Sequence, residues 1–307
     1  MNQVADKILM VRPAAFGFNT ETAANNFFQT KTDLTQEQLQ QKALQEFDAM
    51  VKGLRKEKIE VLVVEDTATP QKPDAIFPNN WFNTTAEGVL NIFPMFAQNR
   101  REEKREDILK QLANNFTINQ VYDWTEYEAE AKYLEGTGSM IVDHRNEFVY
   151  ACISPRTHPA VVEKFAAANG YKAITFTAVD AEGREIYHTN VMMCIGEGFA
   201  LFCPKAISDD TERIAVAQLL ETTGHENIYI TQEQMKNFAG NMLHIKNKKG
   251  DLFIALSKTA FNALTQEQRE RLQHYGKLLP FDVTTIESVN GGSVRCMMAE
   301  IFLQPKN

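Results

Sequence analysis

Apolar segments recur in pairs along the chain, each pair split by a polar turn and followed by a stripe of helical period. The first pair lies in WFNTTAEGVLNIFPM (81–95) and leads into REDILKQLANN. The second is SMIVDHRNEFVYACIS (139–154), followed by HPAVVEKFAAANG. The third is NVMMCIGEGFALFC (190–203), followed by TERIAVAQLLETTG, and the fourth is MLHIKNKKGDLFIALS (242–257), followed by TQEQRERLQHYG. The apolar segments are too short for independent helices, and the turns AEG, HRN, GEG and NKKG have hairpin chemistry. The stripes show i, i+3, i+4 apolar spacing and end at Asn or Gly.

A repeat of roughly fifty to sixty residues predicts blades or an array. A fifth unit assembles from both ends, with VRCMMAEIFL (294–303) pairing KILMVRP (7–13). The helix TQEQLQQKALQEFDAMVKGL and the strand IEVLVVE complete it. Joining the ends removes open sheet edges, which otherwise invite aggregation. The alternative is an open α/β sandwich with unrelated hairpins. No Pro/Gly/Ser-rich linker divides the chain, so residues 1–307 are read as a single domain.

Just before each predicted first strand stands a polar cluster: FPNN (77–80), EGTGS (135–139), HTN (188–190), AGN (239–241) and NGGSVRC (290–296). In a ring of equivalent units, equivalent positions face one centre. The repeat therefore gathers Cys296, His188 and Glu135, a thiol, an imidazole and a carboxylate sufficient for acyl-type transfer at a planar carbon. Taken singly, each has an ordinary reading. A Cys within VRCMMAEIFL is a core residue, a His before a strand is a satisfied loop residue, and Glu135 begins a turn.

The net charge of −8 argues against nucleic acid as a partner. The nearest basic patch, Arg100, Arg101, Lys104 and Arg105, alternates with glutamates and reads as a solvated helix start. No apolar run approaches the roughly 18 residues that span a bilayer, and the N-terminus has no signal-peptide pattern, so a cytoplasmic protein without membrane contact is expected. The four cysteines show no CxxC spacing, which fits reduced thiols. A metal site from His188, Cys194 and Cys203 lacks the usual zinc spacing.

The order FPNN, EGTG, HTN and a late GGSVRC resembles the Glu, His, Cys order of the pentein superfamily, which includes arginine deiminases, dimethylargininases and amidinotransferases. PDAIFPNN, NRR (99–101) and SPRTHP (154–159) are similar to dimethylargininase segments, and the likeness spans essentially the whole chain. It implies an α/β fold, a five-bladed pseudo-symmetric α/β-propeller of ββαβ units around a central active site. It also implies Cys296 as nucleophile, His188 as general acid/base and Glu135 as the catalytic carboxylate. Arg156, assisted by Arg100, matches an arginine that holds the substrate α-carboxylate, and Asp74 an aspartate near its α-amino group.

The departures carry more information. Where deiminases grip a guanidinium with carboxylates, this chain has Asn79, Asn80 and Asn190. A guanidinium offers only donors, whereas a ureido group carries no charge and presents a carbonyl oxygen that an amide can bond. The site is thus read as tuned to citrulline, hydrolysed to ornithine, ammonia and carbon dioxide through a covalent intermediate on Cys296. This agrees with a resemblance to the citrulline-utilisation hydrolases. No metal or organic cofactor is required, the partner is a small amino acid, and monomer and homodimer are both open. Arginine deiminase, dimethylarginine dimethylaminohydrolase and amidinotransferase are the alternatives within the class, and a non-catalytic pentein binding module is the alternative outside it. The segment TEYEAEAKYLEG (125–136), which runs through Glu135, is a candidate for a lid over the site, and raised mobility is expected there.

Overall fold

A computed structural model describes residues 2–306, and its strands fall into five separate three-stranded sheets. In chain order the strands are β1 (Lys7–Arg12), β2 (Glu60–Glu65), β3 (Phe82–Thr84), β4 (Val89–Ile92), β5 (Gln120–Asp123), β6 (Ile141–Asp143), β7 (Phe148–Ile153) and β8 (Lys172–Thr177). They continue with β9 (Met193–Ile195), β10 (Phe199–Phe202), β11 (Glu226–Tyr229), β12 (Leu243–Lys246), β13 (Leu252–Ser257), β14 (Lys277–Phe281) and β15 (Ala299–Glu300). Four sheets are sequential: β3-β4-β5, β6-β7-β8, β9-β10-β11 and β12-β13-β14. The fifth is β15-β1-β2.

Every sheet repeats one logic. The first two strands are antiparallel, as in Ile141↔Tyr150 and Leu201↔Cys194. The third runs parallel to the second after a helical crossover, as in Val149↔Ala173. The first and second strands are buried: FNT, IVD, MCI and FALF throughout, and KILMVR and FVYACI in their interiors. Such strands read as continuous apolar runs because both faces are covered. The third strands are half exposed, QVYD being almost wholly so.

Helix starts follow local chemistry. The tetrapeptide TQEQ opens three helices (Gln36–Lys56, Gln232–Lys236 and Gln266–Gln273), and each time Thr and the second Gln form a reciprocal capping box. Asp209 caps Asp210–Thr222, and His158 with Pro159 starts Pro159–Ala168.

The five units close into a ring of sheets, each neighbour tied by a hydrogen bond. Asn79 Nδ2 donates to Thr137 Oγ1 at 3.2 Å, Cys152 N to Thr189 Oγ1 at 2.9 Å, and Asn241 Nδ2 to the Asn190 carbonyl at 3.2 Å. Lys246 N donates to Ala5 O at 3.0 Å, and Thr84 Oγ1 to Glu300 O at 3.1 Å. The fifth sheet joins the two ends of the chain as the repeat predicts, with β15 beside β1. One expectation changes: VRCMMAEIFL is not one strand. Only Ala299–Glu300 pairs with β1, and Cys296 lies in the turn before it. The reason is the short register, Ile8↔Glu300 and Leu9↔Ala299, after which Ile301 N reaches Lys7 O and the segment leaves the sheet.

The segment 125–136, the candidate lid, is anchored to the body of the fold in this structure. Thr125–Glu130 is a 3-10 helix anchored by buried Tyr127, and Glu128 Oε1 accepts Met95 N at 2.8 Å. Among the described residues no helix is long and apolar enough to cross a membrane.

The helix Gln36–Lys56 clamps the sheet that holds both ends, and Phe47 is its fully buried anchor among Ile8, Met10 and Ile286. Phe47→Ala should lower stability by about 3–5 kcal/mol, typical of a buried Phe truncation. Thermal melting checks this.

Candidate functional site

The polar turns before the first strands converge on one small cavity, lined by Asn26, Asp74, Phe77, Asn80, Arg100, Arg156, Tyr187, His188, Asn290, Gly292 and Cys296. Pro78–Asn80, Gly136–Ser139 and Thr189–Val191 are each a single helical turn, and the turn 293–297 occupies the corresponding place. These turns explain how isolated polar residues reach the centre. Each unit bends its chain there before entering its first strand.

Glu135, wholly buried, is the hub. His188 Nε2 lies 2.8 Å from its Oε2, Arg156 Nη1 3.5 Å and Arg100 Nη1 3.7 Å, while Phe96 N donates to Oε1 at 3.0 Å. Burial alone would raise its carboxyl, but Arg156, His188 and Arg100 together hold it well below the usual carboxylate range. An ionised carboxylate only accepts, so His188 carries its proton on Nε2 and leaves Nδ1 free to accept one. Burial, reinforced by Arg156 and Arg100, keeps the imidazole below its ordinary value although Glu135 pulls the other way. His188 is therefore neutral at pH 7, the form a base requires.

Arg100 is not part of a solvated helix start. It is 2% exposed, its Nε and Nη2 grip both oxygens of buried Glu103 at 2.8 and 2.9 Å, and its Nη1 donates to Asn80 Oδ1 at 3.0 Å. The helix begins only at Glu106, beyond the 3-10 turn Gln98–Glu103, where Arg100 and Glu103 form an internal ion pair while Glu102 is exposed and Arg101, Lys104 and Arg105 are partly so. Arg156 is equally buried, set by a tight turn in which Thr157 N bonds Ser154 O, and its guanidinium stacks 4.7 Å from the Tyr187 ring centroid. Asp74 accepts from Asn19 Nδ2 at 2.7 Å and from Asn290 Nδ2.

Cys296 Sγ meets two amides, Asn241 Nδ2 at 3.2 Å and Asn190 Nδ2 at 3.4 Å. Cys296, His188, Asp74, Asn80, Arg156 and Arg100 all line the cavity, and Asn190 touches the sulfur. Asn79 stands one layer behind, bonding Thr137 and Asn80. Among the described residues no group of three His, Cys, Asp or Glu is placed to hold a metal ion. Cys194 lines a different cavity.

Several site residues went unassigned from sequence. Asn241 and Asn290 lie in clusters the repeat picks out, and Tyr187 precedes His188. Asn19, Thr22, Asn25 and Asn26 belong to the loop after β1, which has no counterpart in the other units and so gives no signal. That loop covers the cavity. Asn25 Oδ1 and the Thr22 carbonyl accept from Arg156, and Asn26 Nδ2 donates to the Asn290 carbonyl at 2.9 Å.

Two outcomes follow from this geometry. A Cβ on Gly138 would lie 2.4 Å from Asn80 Nδ2 and 2.8 Å from His188 Nδ1. Gly138→Ala should therefore displace the imidazole, and any turnover that depends on His188 should fall at least about tenfold, the size of loss that follows a misplaced reacting group. Near-UV circular dichroism, unchanged, would show the fold retained. Acid is the second test. Burial holds His144 and His244 near 4, below the usual 6.5. The folded chain binds fewer protons than the unfolded one between those values, so the stability these groups contribute is complete above about pH 6.5 and lost on acidification toward 4. Melting temperatures should decline across that window, and less steeply in His244→Gln.

The model of the family described as N,N dimethylarginine dimethylhydrolase, eukaryotic, matches residues 12–303. Among solved structures, the N-terminal domain of ArgZ, an arginine dihydrolase from the ornithine–ammonia cycle in cyanobacteria, superposes in its substrate-bound cysteine-to-serine mutant with a TM-score of 0.72. The identity is 16%, over 97% of this chain and 98% of that one. AgrE, as a cysteine-to-alanine mutant with L-arginine, gives 0.74 at 16% identity, over 98% of this chain and 40% of that one. A dimethylarginine dimethylaminohydrolase, as a histidine-to-glycine adduct with S-methyl-L-thiocitrulline, gives 0.67 at 16% identity, over 97% and 100%. No curated protein sequence matches significantly. At these identities the structures speak for the fold, and the family match speaks for kinship. The chain belongs to the N,N dimethylarginine dimethylhydrolase family, within the pentein superfamily of guanidino-modifying enzymes.

Proposed function

We propose that the chain, acting as one catalytic domain, hydrolyses citrulline to ornithine, ammonia and carbon dioxide, with Cys296 as nucleophile. The observation that carries this reading is the setting of the sulfur: its side-chain partners are two neutral amides, Asn190 and Asn241. Two of the nearby carboxylates are already paired with cations or the imidazole, Glu135 by His188 and Arg156 and Glu103 by Arg100, and the third, Asp74, is assigned to the α-amino end. A buried guanidinium would need free negative acceptors, whereas a ureido group needs none.

The sulfur attacks the ureido carbon, and the oxygen takes up negative charge stabilised by amide donors. His188, neutral in the free site, takes up a proton from solvent on Nδ1 and delivers it to the ornithine Nδ as that bond breaks. The carbamoyl group remains on sulfur as a thiocarbamate. His188, oriented by Glu135, then takes a proton from water. The resulting oxygen attacks the carbonyl carbon, the C–S bond breaks, and carbamic acid leaves to give ammonia and carbon dioxide. Arg156 and Arg100 supply positive charge for the α-carboxylate and Asp74 negative charge for the α-amino group. Asn80 and Asn190 face the ureido head, with Asn79 supporting Asn80 from behind.

The second reading is turnover of arginine or dimethylarginine. The family membership and the Asp74 carboxylate in the cavity favour it. Ammonia and ornithine release from citrulline, arginine and dimethylarginine, measured with the wild type and Cys296→Ser, separates the two. Citrulline turnover that disappears in the variant is expected. Turnover of arginine or dimethylarginine in place of citrulline would overturn the neutral-substrate reading and leave the nucleophile standing.

A further inference from the structure

We infer that Asn241 and Asn190 hold Cys296 as a thiolate before substrate arrives, with Asn241 the fixed donor of the pair. The inference deepens the proposed function and rests on Cys296 being the nucleophile there. A cationic substrate brings a positive charge that favours loss of the thiol proton, and citrulline brings none. An enzyme for a neutral ureide must stabilise the sulfur anion with its own groups.

The amide of Asn241 has only one orientation. Its Oδ1 accepts the Arg295 backbone N–H at 3.0 Å, and a donor there requires the oxygen. Nδ2 is thereby turned to Cys296 Sγ at 3.2 Å and to the Asn190 carbonyl at 3.2 Å. Asn241 is 2% exposed, so no solvent competes. The backbone keeps it there. A Cβ on Gly240 would lie 2.4 Å from the Val191 carbonyl oxygen and 2.7 Å from the Met192 carbonyl carbon, so the turns bearing Asn241 and Asn190 pack main chain to main chain. Asn190 has its Nδ2 on the sulfur, and its buried Oδ1 has no partner.

The other cysteines show the contrast. Cys152 Sγ donates to the Ile186 carbonyl at 3.3 Å, as a thiol does, and burial pushes Cys152 and Cys194 up to about 12 and Cys203 to about 11. Cys296 Sγ only accepts, from two donors. Hydrogen bonds to the charged form favour that form, and those to an ionised acceptor are the stronger kind. The charged groups that share the cavity have partners of their own: Arg100 is held by Glu103, Arg156 by Glu135 and Asn25, His188 by Glu135, and Asp74 by Asn19. Arg295 Nη1 bonds the Met298 carbonyl at 3.0 Å and Nη2 bonds Glu300 Oε2 at 2.9 Å.

The test needs no substrate. Iodoacetamide alkylation of Cys296, in which sulfur displaces iodide, is followed by mass spectrometry across pH 5–10, with Cys296→Ser marking the site. Asn241→Asp keeps an oxygen for the Arg295 N–H, preserving the turn, and sets a negative charge beside the sulfur. Its alkylation at pH 7 should slow by at least about tenfold, the equivalent of one pH unit in the profile, and recover in alkali. Asn241→Ser, a shorter neutral donor, should fall between. Superimposable profiles for wild type and Asn241→Asp would overturn the inference, as would a wild-type profile like that of an ordinary free thiol, near 8.5. A displaced profile together with inert citrulline would uphold the thiolate and remove only the substrate reading.

Discussion

A carboxylate without water must be neutralised where it stands, and the centre of this protein is organised by that requirement at Glu135. Its oxygens are shared among an imidazole, two guanidinium groups and a backbone amide. Removing one partner of a buried ion pair typically costs about 3–5 kcal/mol, because the remaining charge is left uncompensated. A domain's entire stability is about 5–15 kcal/mol. The positions of His188, Arg156 and Arg100 are therefore fixed by the same energy that keeps the fold together, and the proton arrangement on the imidazole follows from it.

Fold and site also share their hydrogen bonds. Asn79 to Thr137 and Asn241 to the Asn190 carbonyl are joints between neighbouring units, and the same asparagines stand at the cavity or directly behind it. A ring whose seams run through the centre places its chemistry where neighbours must already be in register. The loop after β1 adds a cover tied to Arg156 and Asn290 rather than a structural element of its own.

Much of this was legible in the sequence. Paired apolar segments with hairpin turns marked the first and second strands, since a strand buried on both faces must be apolar throughout. The clusters before the first strands marked the centre, because equivalent positions in a ring coincide. The third strands were harder to see: QVYD and ENIY are short and half exposed, with little periodicity to detect. Arg100 and Glu103 look like a wet helix start because alternating charge along a chain says nothing about which carboxylate a guanidinium will face. Cys296 was drawn into a strand by its apolar neighbours, when those residues are apolar because the whole turn is buried. The covering loop was invisible for a different reason. Its asparagines act across the fold, with no repeat to announce them.

The pairing of β15 with β1 has a bearing on the order of events as the chain is made. Residues 82–281 contain four sheets whose partners are all near in sequence, and these can fold as they emerge. The fifth sheet unites residues nearly the full chain apart, a slow kind of contact to form. Cys296 lies just before that last strand, so its two amide neighbours wait in place before the sulfur reaches them. On the ribosome, Cys296 is thus among the last of the cavity residues to arrive, after the turns that face it.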